Sequence, residues 1–174
     1  MSKPRARLSL RSGGKIWYKM ASMTEQSDRP AKILFVCLAN LCRSPLAEVI
    51  ARTRHPGEVE AASAGISPAS GPPFEEAVEV VKKFYGEDLR GHRPRHVLEY
   101  PVRDFDYIIA MDSSVFLKLS EMRDIPSDKL YGWEVDDPSG LGLSAYESAA
   151  RLIERDLEAF LLQRGRDKRA SRRP

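Results

Sequence analysis

Ile33-Leu34-Phe35-Val36-Cys37-Leu38-Ala39-Asn40-Leu41-Cys42-Arg43-Ser44-Pro45-Leu46-Ala47-Glu48 is the stretch whose reading decides the fold. The branched and aromatic run Ile33 to Val36 suits a short strand covered on both faces, and Pro45 suits the first helical position, where its missing N–H costs nothing. A tight loop lies between them. Strand, loop and helix in this order turn a row of backbone N–H groups and a helix N-terminus toward one point, which makes an anion site; phosphate is the natural guest.

Each side chain of the loop has a chemical reason to be there. Cys37 ends the strand and Arg43 follows six residues later, with Ser44 next. A thiol at the focus of a helix N-terminus and beside a guanidinium is favoured as a thiolate able to attack phosphorus. Arg43 offers a planar fork of donors for two phosphoryl oxygens as the transition state forms. Ser44 can donate to the sulfur when it leaves. Asn40 tolerates a left-handed backbone and can tie the loop to itself. A cysteine alone at the end of a buried strand is more often a small core hydrophobe. Asn, Arg, Ser and Pro together with it point to one mechanism.

The segment Val36-Cys37-Leu38-Ala39-Asn40-Leu41-Cys42-Arg43-Ser44-Pro45 resembles the signature V-C-x-G-N-x-C-R-S-P of the low-molecular-weight protein tyrosine phosphatase family. It departs once, with Ala39 where glycine is usual. A position that needed positive φ would strain alanine; the expectation is a tolerated variation. The resemblance implies Cys37, Arg43 and an aspartate as catalytic residues, and Leu38, Ala39, Asn40, Leu41, Cys42 and Ser44 as the rest of the phosphate-binding loop.

Outward from this loop, the chain has 174 residues, 42% apolar and 30% charged, which suits one globular domain with unstructured ends. No run approaches the length of a membrane span. Residues 1–24 hold six basic residues and no acid, and residues 164–174 hold six against Asp167. The interval 25–163 therefore carries 16 basic and 24 acidic residues, a net of −8. Whole-chain basicity belongs to the ends, and it gives no reason to expect nucleic acid as a partner. The expected divisions are a basic, disordered leader at 1–31, a phosphatase domain at 32–163 and a basic, disordered tail at 164–174. The leader has the Arg, Lys and Ser content of an organellar transit peptide, or reflects a start assigned upstream of Met23.

Helical spacing of Leu46, Val49 and Ile50 predicts a helix over 45–54, stopped by His55-Pro56-Gly57. A strand is expected at 58–62, closed by Ser63-Ala64-Gly65, which resembles the family's S-A-G. An amphipathic helix is expected at 74–85, a strand at 105–112, and a helix at 115–122 with Ser113 or Ser114 as its cap. A short strand at 129–131, a loop at 132–142 and a helix at 143–163 opened by a Ser144–Glu147 capping box complete the order. The fold class expected is α/β, a three-layer arrangement with a four-stranded parallel twisted sheet flanked by helices and the phosphate-binding loop after the first strand. His92-Arg93-Pro94-Arg95-His96 resembles the family's H-x-A-R-Q, which implies that His92 braces the loop from behind through Asn40. Asp112 is expected to hold the turn after its strand.

Phosphoryl transfer to sulfur needs a proton for the departing oxygen. Val135-Asp136-Asp137-Pro138 supplies the carboxylic acid, and by resemblance the residue before proline, Asp137, is the acid and later the base. Partial burial beside a phosphoryl dianion is expected to raise its pKa. Family members that act on phosphotyrosine carry aromatic residues after that proline, where this chain has Ser139 and Gly140; Trp133 and Tyr131 are candidate substitutes or ordinary packing residues. Leu41 stands where relatives that hydrolyse phosphoarginine have threonine, which favours the tyrosine reading. Cys42 is placed to bond to Cys37 under peroxide. Two cysteines with no secretion signal imply a reducing, cytoplasmic setting. They also argue against an arsenate reductase relay and against zinc, so neither metal nor cofactor is expected.

The resulting reading is a monomeric hydrolase of phosphotyrosine in proteins, acting through a cysteinyl-phosphate on a phosphotyrosine-bearing partner, with a tyrosine kinase among the candidates and no nucleic acid or membrane involved. The alternatives are a phosphatase for protein arginine or other phosphomonoesters, and a non-catalytic phosphate-binding or redox-sensing relic.

Overall fold

Alternation of side chains along a strand sends Ile33, Phe35 and Cys37 to one face and Leu34 and Val36 to the other, and both sets are buried. A strand of this kind must be covered on both sides. In the computed structural model, which describes residues 7–9, 15–17 and 29–171 with side chains over 29–166, it is an interior strand of the sheet, paired on both edges.

The elements are β1 (Arg7–Ser9), β2 (Lys15–Trp17), β3 (Ala31–Cys37), α1 (Arg43–Arg54), β4 (Val59–Gly65), α2 (Glu75–Tyr85), β5 (Tyr107–Ala110), α3 (Ser113–Glu121), β6 (Leu130–Gly132) and α4 (Leu143–Ser171). Two single 3-10 turns precede β5. Strand β3 pairs in parallel with β4 and with β5, and β5 pairs in parallel with β6. These are the four parallel strands expected. The chain leaves β3 toward β4 and then crosses back to β5, so the order reverses at β3 and a crevice opens at its carboxyl end.

One face of the sheet packs Ile33, Phe35, Ile109 and Trp133 against Leu46, Ile50, Val78, Val81, Ile153 and Phe160 from α1, α2 and α4. The other packs Leu34, Val36, Ile108 and Ala110 against Val115 and Leu119 of α3. Three layers result, as expected from strands alternating with amphipathic helices.

The structure differs from the expected ends. Ala31 opens β3, and the leader places β1 and β2 as an antiparallel pair whose Trp17 lies opposite Gly132 of β6, extending the sheet to six strands. An edge strand with free N–H and C=O groups is the place where such pairing is available. The remainder of the leader lies outside the described residues. At the other end α4 continues to Ser171, because Leu, Gln, Arg, Lys and Ala after 160 are good helix formers and outnumber the weaker Gly165 and Asp167. The cap of α3 is also different: Asp112 accepts from Val115 N (2.8 Å) and from Ser114 Oγ (2.6 Å), so the serines lie inside the first turn. Glu147 pairs with Lys83 of α2 at 2.8 Å, a contact between helices where a local capping box was expected.

Candidate active site

The loop between β3 and α1 is shaped by where its carbonyls go. Ile66 N, Ser67 N and Ala69 N donate to the carbonyls of Cys37 (3.1 Å), Leu38 (2.9 Å) and Ala39 (3.1 Å), so the segment after β4 runs beside the loop and takes up its acceptors. Its N–H groups are left for the inside. Asn40 N donates to Cys37 Sγ at 3.2 Å. Asn40 is the only described residue other than glycine with positive φ, at 57°. Ala39 is not left-handed, which removes the steric objection to alanine there.

Gly65 is where the two segments touch. A Cβ on it would lie 2.8 Å from Leu38 O, 3.2 Å from the Ala39 carbonyl carbon and 3.2 Å from Asn40 Cβ. Only glycine lets β4 approach the loop this closely. Sequence reading noted Gly65 as part of a motif without seeing this contact, which joins residues far apart in the chain.

The Asn40 side chain holds the loop from within. Its Nδ2 donates to Ser44 Oγ (3.0 Å) and Ser63 Oγ (3.1 Å), and Ser63 donates onward to Glu48 Oε2 (2.6 Å). Its Oδ1 accepts from Arg95 N at 3.0 Å. His92 Nε2 lies 2.9 Å from Asn40 O and 3.2 Å from its Oδ1, two acceptors, so this nitrogen carries the proton. Burial pushes the His92 pKa below its ordinary value, aided by Arg93 and Arg95, so the ring is neutral at pH 7. Ser63 and Arg95 are legible in the sequence only as members of motifs, and Glu48 has no role there; nothing local to them signals that they meet Asn40.

Cys37 is 2% exposed, and its Sγ lies 3.0 Å from Ser44 Oγ. Ser44 Oγ is also 3.0 Å from the Ala64 carbonyl. The hydroxyl has one proton to place. It donates to Ala64 when Cys37 is a thiol, and it can turn to the sulfur when Cys37 is a thiolate.

Arg43 is 4% exposed and is fixed by partners on other strands' ends. Its Nη1 donates to Asp112 Oδ2 (2.7 Å) and to the Val135 carbonyl (3.0 Å), while Nη2 lies 3.4 Å from Asp137 Oδ2. Burial alone weakens the charged form, but Cys37, Asp137 and Asp112 outweigh it and keep the guanidinium protonated. Asp112 thus does more than hold its turn. Its placement was legible; its partner was not.

Asp137 is exposed on the loop after β6. Its Oδ1 accepts from Ser139 N (3.0 Å) and Ser139 Oγ (2.7 Å). Burial raises its pKa, but these two donors and the Arg43 charge win, and the carboxyl sits below its ordinary value. The upward shift expected beside a bound phosphoryl dianion concerns a different state of the site. Cys42, 5% exposed, has its Sγ 4.0 Å from Asp137 Oδ1 and 3.9 Å from Ser139 Oγ. Burial, followed by the negative charges of Cys37 and Asp137, pushes its thiol up to about 11, so it is neutral at pH 7. Tyr146 of α4 is buried against Ser139, and its hydroxyl is pushed up to about 12, by burial first and then by Cys42.

The remaining loop residues divide between rim and floor. Leu38 is 44% exposed at the rim, whereas Leu41 is 8% exposed and faces inward. Trp133 is fully buried against Phe35 (5.8 Å between centroids) and Phe160 (6.4 Å), and Tyr131 packs on Tyr107 and Phe160. Both are packing residues, so neither supplies an aromatic wall. Among the described residues no group of three or more His, Cys, Asp or Glu could hold a metal ion, and no helix is long and apolar enough to cross a membrane.

Four parallel strands flanked by helices, with a cysteine at the end of an interior strand, an anion-shaped loop and a buried arginine faced by an aspartate, define an α/β phosphoester hydrolase. A family model described as low molecular weight phosphotyrosine protein phosphatase matches residues 32–170, and the chain belongs to that family of enzymes. It is 30% identical over 135 residues to the probable low molecular weight protein-tyrosine-phosphatase EpsP of Ralstonia nicotianae, covering 74% of this chain and 92% of that protein. The crystal structure of the low molecular weight protein tyrosine phosphatase from T. tengcongensis superposes with a TM-score of 0.69 at 33% identity, covering 76% of this chain and 99% of that one. The YwlE arginine phosphatase from Geobacillus stearothermophilus superposes with a TM-score of 0.67 at 27% identity, covering 83% and 99%.

Proposed function

We propose that this enzyme hydrolyses phosphotyrosine in proteins in two steps at Cys37. The observation that carries the reading is the convergence of the loop running from Cys37 to Arg43 with Asp137 from the loop after β6, with Arg43 held by Asp112 and the Val135 carbonyl while its second terminal nitrogen faces Asp137. The Arg43 Nε is a further buried donor with no protein partner, the kind of group a bound phosphoryl oxygen satisfies.

In the first step the Cys37 thiolate attacks phosphorus. The S–P bond forms, the P–O bond to tyrosine breaks, and the electron pair goes to the phenolic oxygen, which takes a proton from Asp137. Arg43 and the loop N–H groups hold the equatorial oxygens as charge spreads over them. A phosphoryl dianion competes for Arg43 and brings negative charge beside Asp137, and both effects raise the carboxyl from its low resting value toward the protonated form that an acid requires. In the second step water attacks phosphorus and gives a proton to Asp137. The S–P bond breaks, its electron pair returns to sulfur, and the Ser44 hydroxyl donates to the thiolate as it leaves.

Leu41 favours tyrosine over arginine, since an aliphatic side chain at this position of the loop cannot accept from a guanidinium. Steady-state hydrolysis of phosphotyrosine and phosphoarginine peptides, without metal, tests the reading with wild type, Cys37→Ser and Asp137→Asn. Phosphotyrosine turnover that is abolished in the serine variant and falls steeply in the asparagine variant is the expected result. Phosphate binding without turnover of either peptide would instead mark a non-catalytic anion or redox device.

A further inference from the structure

The two oxygens of Asp137 have different surroundings. Oδ1 receives two N–H and O–H donors from Ser139, at 3.0 and 2.7 Å, and the Cys42 thiol lies 4.0 Å away. Among the described residues Oδ2 faces a single donor, Arg43 Nη2 at 3.4 Å, on the side of the phosphate loop. A carboxylic acid keeps as its carbonyl oxygen the one with the shorter and more numerous donors, because the protonated oxygen is the poorer acceptor; two donors at 3.0 and 2.7 Å therefore outweigh one at 3.4 Å, the one a bound phosphoryl group competes for.

We propose that Ser139 is a positioning residue that assigns the proton of Asp137 to Oδ2, the oxygen facing Arg43, and so aims the acid at the leaving group. The Ser139 amide would do part of this with any residue other than proline at that position. The hydroxyl is what this side chain adds. It makes the shorter of the two bonds, and its own oxygen lies 3.9 Å from Cys42 Sγ. The charged and titratable groups facing Asp137 are Arg43 from α1, Asp112 after β5, Cys42 in the loop and Tyr146 from α4. Beside them Ser139 is uncharged, and its hydroxyl lies nearer to Asp137 Oδ1 (2.7 Å) than the Cys42 thiol does (4.0 Å). It therefore fixes orientation without adding charge.

The proposal rests on Asp137 being the general acid, and the test separates the two claims. Full-length wild type, Ser139→Ala, Ser139→Thr and Asp137→Asn, and the Ala–Asn double variant, are compared on p-nitrophenyl phosphate, whose leaving group needs little protonation, and on phenyl phosphate, whose leaving group needs much. Ser139→Ala is expected to lose about tenfold in kcat/KM on phenyl phosphate and about twofold or less on p-nitrophenyl phosphate. Its alkaline limb should move up by about half a pH unit, because one donor to the carboxylate is gone. Threonine restores both, and in the Asp137→Asn background the alanine change costs nothing further. An equal loss on the two substrates, no loss at all, or an undiminished loss in the Asp137→Asn background overturns the role of Ser139 alone. If Asp137→Asn leaves phenyl phosphate hydrolysis unchanged, the acid assignment falls and this proposal falls with it.

Discussion

Arg43 and Asp112 form an ion pair at 2.7 Å between side chains only 5% and 21% exposed, and the same carboxylate caps α3 through its other oxygen. The guanidinium is thereby tied to the end of β5 and cannot swing with the loop. Asp112→Asn retains the cap, since asparagine accepts equally well from Val115 N, and loses the charge opposite Arg43. We expect kcat/KM to fall about tenfold and stability at neutral pH to fall by about 1–2 kcal/mol, read from kinetics and thermal melts. Burial pushes the Asp112 pKa up, but Ser114, Val115 and Arg43 outweigh it, so the folded value lies below 3.8. The stabilisation is therefore fully present above 3.8 and is lost as pH falls through the lower folded value. The Tm difference between wild type and Asp112→Asn should be flat from neutral pH down to about 5 and shrink below 3.8. A difference that grows in acid would contradict the pair.

Gly65→Ala tests the approach of β4 to the loop. The added methyl would meet backbone atoms of Leu38 and Ala39 at 2.8 and 3.2 Å, and backbone cannot rotate out of the way as a side chain can. Activity is expected to drop about a hundredfold, with a stability loss of about 1–3 kcal/mol from overpacking and an unchanged far-ultraviolet circular dichroism spectrum. Near-wild-type activity in this variant would mean that the loop has slack.

His92→Ala removes the donor to Asn40 O and Oδ1 and leaves two buried acceptors poorly satisfied. Rates should fall about 10–100-fold, with His92→Gln recovering part of the loss through its amide N–H. Because burial lowers the folded pKa of His92 below 6.5, its neutral form stabilises the fold above that value. That contribution is lost progressively as pH falls below 6.5, as the unfolded chain takes up the proton first. Ring-proton NMR titration of His92 should show a midpoint below 6.5.

Cys42 bears on the response to peroxide. If oxidised Cys37 is captured by Cys42, the attacking species is the Cys42 thiolate, and a thiol pushed up to about 11 supplies little of it at pH 7. Disulfide formation after Cys37 oxidation should therefore accelerate close to tenfold per pH unit between about 7 and 9, and a sulfenic acid should be trappable at neutral pH. Mass spectrometry with a dimedone quench measures both. A pH-independent rate would show that Cys42 is deprotonated by something absent from its resting surroundings.

Much of the site was readable because it is local. From Cys37 to Pro45 the strand, the anion loop and the helix start are covalent neighbours, so residue type and spacing carry the geometry. Asp137 was assigned by resemblance to the family's aspartate before proline, and its loop, at the carboxyl end of a parallel strand, reaches the same crevice as the loop after β3. What could not be read joins distant positions. Asp112 to Arg43, Ser63 to Asn40, Gly65 to Leu38 and Trp133 to Phe160 are pairings between segments, and no single segment encodes them.

By itself the sequence determined the order of elements, the covered central strand, the loop with its cysteine, arginine and serine, and the carboxylate before Pro138. Hydrophobic period and turn chemistry are properties of neighbouring residues, so they survive being read one stretch at a time. The tertiary structure decided the charge states. Whether Asp137 rests below its ordinary pKa, whether His92 is neutral and whether Cys42 is a thiol depend on burial and on donors and charges brought in from other strands and helices. Electrostatic energy falls with distance in space and takes no account of distance along the chain.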